Sequence, residues 1–235
     1  MARRTLPSFI FLWNRHVKLY LEVFSIALKE MVEENSASGD EDAISETLGL
    51  ILRRACFNIY RSGNREVRTP IWETPIQPVS GDELKGGKIR KRPDFTCNCF
   101  NPWADSPEEQ EISFHVECKR LGNPTSSSWI LNRNYVKDGI KRFDCKTHEY
   151  GKRALSGMMI GYIVSMTPKE IEAEVNTYQK KYVPGYADIS FISDSTMLFQ
   201  AHQEIERKSV YPIQFELIHL WVDLRNNYRT VFTPN

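Results

Sequence analysis

The chain has almost no charge excess of either sign. Its 31 Lys and Arg face 30 Asp and Glu, a formal net charge of +1. That excludes a strongly basic coat, so contact with a polyanion would have to use a local patch. Cysteines number five, an odd count in 235 residues, which argues against a disulfide framework and for a reducing, cytoplasmic setting. No apolar run reaches the length of a membrane span. The short run 9–13 gives way at once to Asn14-Arg15-His16 and is too brief for a signal peptide. A glycine-rich phosphate loop is missing, Gly86-Gly87 reading as a turn. The serines at 126–128 have no evident His and Asp partners for a hydrolase triad. Neither an internal repeat nor a low-complexity segment is present.

What remains is an ordinary globular composition, 41% hydrophobic and 26% charged, enough to bury a core without staples. One α/β domain fits the length. Apolar residues three and four apart predict a helix over 8–33, and the large groups Phe9, Phe11, Trp13 and Phe24 suit either a core or a contact with a second copy or partner protein. A polar loop precedes a second helix over 42–60, whose first acids complement its dipole. That helix is apolar on more than one side (Ile44, Leu48, Ile51 and Ile59, but also Leu50 and Phe57), as expected of a helix buried against a sheet.

An extended stretch over 67–76, a turn-rich connection over 80–87 and a strand over 88–100 follow. The next strand, 111–120, alternates Ile112, Phe114, Val116 and Cys118 against Ser113, His115, Glu117 and Lys119, which puts Glu117 and Lys119 on one face. A helix over 129–144, a buried strand over 158–166, a helix over 168–182 capped by Thr167, and late strands at 189–192 and 215–224 complete the order. A central mixed sheet between helices accommodates it.

The chemistry concentrates in Pro93-Asp94 and Glu117-Cys118-Lys119. Two hard carboxylates can hold Mg²⁺ or Mn²⁺, the carbonyl of Cys118 can add a third oxygen, and the Lys119 ammonium can orient a water or a phosphate. Taken alone, Asp94 after Pro93 also fits a turn, and Glu117 with Lys119 a solvated strand face. The apolar opposite face of the strand and the loop over 101–109 favour a hairpin that brings Asp94 near. Cys97, Cys99, His115 and Cys118 suggest zinc, but strand alternation sends them to different sides, so they read as buried thiols and a histidine.

Pro93-Asp94 followed by Glu117-x-Lys119 on an alternating strand resembles the PD-(D/E)xK nuclease superfamily, the restriction-endonuclease-like fold. The resemblance extends to Tyr135-x-x-x-Gly139-Ile-x-Arg142-Phe143 and to 158–164, and covers roughly 41–166; the helix over 8–33 and the strands over 183–235 lie outside it. It implies Mg²⁺-dependent hydrolysis of nucleic acid, usually DNA and endonucleolytic, in a restriction, phage-defence or DNA-processing role. It also implies a further acid on the preceding helix, for which Glu46 is the candidate. Lys91, Arg92, Arg142 and Tyr135 become candidates for gripping nucleic acid. A second reading of the same residues is an inactive subunit of that fold which binds nucleic acid or a partner protein.

Overall fold

The computed structural model describes residues 6–63, 66–76, 91–193, 197–226 and 228. The connection expected at 80–87 and the first three residues of the strand expected over 88–100 lie outside these. The elements are α1 (Leu6–Glu33), α2 (Glu41–Gly63), β1 (Ile71–Trp72), β2 (Phe95–Phe100), a one-turn α3 (Pro107–Gln110), β3 (Glu111–Leu121), α4 (Leu131–Lys137), a 3₁₀ turn (Ile140–Asp144), β4 (Ser156–Ile163), α5 (Pro168–Tyr182), β5 (Ile192–Ser193), β6 (Leu198–Glu206) and β7 (Gln214–Asp223).

The strands form one seven-stranded mixed sheet in the order β1-β2-β3-β4-β7-β6-β5. The pairs β3/β4 and β4/β7 are parallel and the others antiparallel. Helices cover both faces, which is why every residue of the central β4 is buried and why its sequence is apolar without alternation. On one face Trp13 of α1 packs edge-on against Phe114 and donates to the Ser156 hydroxyl at 3.0 Å, and Ser45 of α2 meets the Tyr162 hydroxyl at 3.2 Å. On the other, Tyr135 of α4 stands edge-on to Trp221, and Phe143 of the 3₁₀ turn packs on Phe215. The buried side chains of both layers make one continuous cluster from Trp13 to Leu224. Trp13 and Phe24 belong to it, so α1 is a core helix before it is an interface.

Most expected elements are present, with several departures. The stretch over 67–76 contributes only Ile71 and Trp72 to the sheet. The helix expected over 129–144 stops after Lys137 and resumes as the 3₁₀ turn at Ile140. The break is at Gly139, where a Cβ would lie 2.4 Å from the Tyr135 carbonyl oxygen and 2.5 Å from the Met159 methyl: the chain approaches the sheet too closely there for a side chain. β6 has no counterpart in the sequence reading, because its buried positions include Gln203 beside Leu198, Ala201 and Ile205. The second apolar side of α2 is a correction. Leu50 and Phe57 face solvent instead of a sheet. No helix among the described residues is long and apolar enough to cross a membrane.

Candidate functional site at the end of β2

β2 and β3 form the expected hairpin, joined through α3, with Phe95 opposite Val116 as the last pair of their ladder. Beyond that pair β3 runs on alone on this side. The Cys118 and Arg120 amides point toward the missing strand and need acceptors. Two carboxylates supply them. Asp94 Oδ2 accepts from the Cys118 amide at 2.5 Å, and Glu41 Oε2, from the first turn of α2, accepts from the Arg120 amide at 3.0 Å. Premature ending of β2 therefore draws two acids to one edge of β3.

The strand's own side chains complete the cluster. Glu117 is fully buried and Lys119 nearly so. Lys119 Nζ lies 2.8 Å from Glu117 Oε1 and 2.7 Å from Glu41 Oε1, and donates to the Cys118 carbonyl at 2.8 Å. Arg142 of the 3₁₀ turn donates to the same Glu117 Oε1. The Gly139 break thus sets a guanidinium over β3. Glu117 Oε2 is buried and has no hydrogen-bond partner, a costly arrangement for a carboxylate oxygen.

Burial drives the electrostatics. It pushes the Asp94 carboxyl well above the usual carboxylate range, with the Glu117 charge adding to the effect. It also raises Glu117, against the pull of Lys119 and Arg142. For Lys119 burial opposes the charge, but Glu117, Glu41 and Asp94 together outweigh it and hold the ammonium above its ordinary pKa. Lys119 is therefore a cation at neutral pH and no general base.

The structure brings together Asp94, Glu117 and Lys119 and leaves out several other candidates. Glu46 is exposed on α2; the acid of that helix which reaches the cluster is Glu41, at its first residue. Tyr135 is a correction: it is fully buried, its hydroxyl 2.8 Å from His219 Nδ1 and accepting from the Trp221 indole at 2.9 Å, so it cannot touch nucleic acid. Arg142 is engaged by Glu117, with about a quarter of its side chain left exposed. Lys91 is half-buried and Arg92 exposed beside Asp94. Cys97, Cys99 and Cys118 are buried free thiols, and His115 Nδ1 accepts from the Gly151 amide at 2.9 Å.

Among the described residues no three His, Cys, Asp or Glu side chains are grouped to hold a metal ion. No cage made wholly of side chains is therefore present among the described residues. Mg²⁺ asks for less, one or two carboxylates with the remaining positions filled by water and other oxygens. The unpartnered Glu117 oxygen beside Asp94, with the Cys118 carbonyl on the same edge, fits that demand. Compared with protein-family models, curated proteins and solved structures, the chain matches none of them.

Proposed function

We propose that this corner is the active site of a metal-dependent nuclease of restriction-endonuclease-like fold, acting on DNA. The observation that carries the reading is the buried, unpartnered oxygen of Glu117 in a cluster that also contains Asp94 and Lys119. Asp94, Glu117 and the Cys118 carbonyl would hold Mg²⁺ or Mn²⁺, with Glu41 in place of Glu46 as the acid from the helix. When bound, the cation supplies an activated water and relief of charge on the scissile phosphate. Lys119 offers a fixed positive charge for a phosphate oxygen or the attacking water. Arg142 balances the charge of Glu117, and exposed Arg92, two residues before Asp94, is available to position a backbone phosphate without reading bases.

One observation favours the second reading, an inactive subunit that binds nucleic acid or a partner. Glu117 Oε1 is shared by two cations, Lys119 and Arg142, as in a purely structural ion cluster. Cleavage of supercoiled, linear and single-stranded DNA, and of RNA, with Mg²⁺, Mn²⁺ or EDTA decides between them. The nuclease reading expects cation-dependent cleavage that Lys119→Ala abolishes in a folded protein. No cleavage of any substrate with either cation would favour the inactive subunit.

A further inference from the structure

α2 carries a solvent-facing stripe that neither the core nor the acidic cluster uses. Leu50 is 67% exposed, Phe57 60% and Tyr60 53%, while Ile44, Leu48, Ile51, Leu52, Ala55 and Ile59 fill the inner side. At about 100° per residue, Glu46, Leu50, Phe57 and Arg61 fall within an arc of about 60°. Glu46 and Arg61 are both exposed and lie at opposite ends of the stripe. Arg61 sits with its guanidinium carbon 5.9 Å from the Phe57 ring centre.

The order of these residues is self-complementary. Glu46 lies as far before the midpoint between Arg53 and Arg54 as Arg61 lies after it, and Leu50 and Phe57 are spaced about the same midpoint. If two copies of α2 cross antiparallel on a two-fold axis at that point, Leu50 of each meets Phe57 of the other, and Glu46 of each comes opposite Arg61 of the other. A two-fold contact requires this reciprocity: residue i on j, and j on i. Like charge near the axis is reduced within each copy, since Arg54 is paired with Glu30 at 2.8 Å and Glu34 at 2.6 Å. Arg53 lies at the edge of the stripe. The stripe thus joins an apolar centre to charged ends of opposite sign, the pattern of a specific interface.

We infer that the outer face of α2 is a docking surface for a second copy of this chain, packed antiparallel with Glu46 against Arg61 at both ends. The inference is independent of the chemistry at Asp94 and Glu117.

Sedimentation velocity over a concentration series tests it. The wild-type chain is expected to pass from monomer to dimer with rising concentration. Leu50→Asp should abolish the dimer. Glu46→Arg and Arg61→Glu should each weaken it about tenfold, and the double variant should recover to within about threefold of wild type. All these positions are exposed, and an unchanged circular-dichroism melt confirms that each variant folds. A wild-type chain that stays monomeric at about 100 µM, a dimer indifferent to Leu50→Asp, or single charge reversals that the double variant does not rescue would each overturn the inference.

Discussion

Two buried polar networks lie on the same face of the sheet and differ in kind. Over β6 and β7, His219 Nδ1 meets the Tyr135 hydroxyl at 2.8 Å and Nε2 meets Gln203 Oε1 at 3.2 Å, and Gln203 donates to Gln179 at 2.9 Å. Burial lowers the pKa of His219 to about 3, so every member of that network is neutral at pH 7 and each named group has its partner. At the end of β2 the members are carboxylates and cations, and Glu117 Oε2 is left without a partner. A satisfied neutral network stiffens a core and asks for nothing further. A charged, incompletely satisfied one is where a protein retains instability for use.

Substitutions can break that contrast or sharpen it. Lys119→Ala should lower cation-dependent cleavage by about 10²-fold or more, the usual loss when a fixed electrostatic group is removed, while leaving the far network intact; initial rates on plasmid DNA read it. Arg142→Gln should destabilise the metal-free protein by about 2–3 kcal/mol. That is below the usual cost of breaking a buried pair because Lys119 remains on Glu117, and Mn²⁺ should restore part of the loss in a chemical-denaturation series. Tyr135→Phe strands the Trp221 indole and should cost about 1–2 kcal/mol with no change in cation affinity. Asp94→Asn should act in the opposite sense. It removes a buried charge beside Glu117 yet keeps an oxygen for the Cys118 amide, so the melting temperature should rise by about 2–4 °C, the response to about 1 kcal/mol in a chain of this size, while cation binding is lost.

The pH dependence of the two networks should also differ. Burial, with Glu117 added, raises the Asp94 pKa in the folded state, so the native protein holds this proton above the ordinary carboxylate range. Its contribution to stability is full below the unfolded value and is lost as pH rises through the native one. Metal binding runs the other way. The proton must leave, so affinity should climb with pH through the same window and then level off. Calorimetric titrations in buffers of different protonation enthalpy would register the released proton. His219, already neutral, should leave no trace near neutral pH.

Legibility in the sequence followed the strength of the local signal. The alternation of β3 and the Thr167 cap before Pro168 are local patterns, and both elements are present with nearly the expected bounds. The hairpin that brings Asp94 to β3 followed from two strands and a loop. Glu41 stands just before the helix expected over 42–60 and has no expected role, because nothing in the spacing says that the first turn of α2 lies at the bare edge of β3. Tyr135 shows the converse. The family resemblance groups it with Arg142 as a grip on nucleic acid, but the break at Gly139 turns the two side chains to different tasks. Gln203 concealed the inner side of β6, since a polar residue inside a sheet becomes intelligible only once its partner is known.

The most direct test of the central claim is calorimetric titration of Mn²⁺ into the wild-type chain, Asp94→Asn and Tyr135→Phe. Saturable binding by the wild type, retained in Tyr135→Phe and weakened about tenfold or more in Asp94→Asn, is the expected result. A wild type that binds no Mn²⁺, or binding that survives Asp94→Asn unchanged, would contradict it.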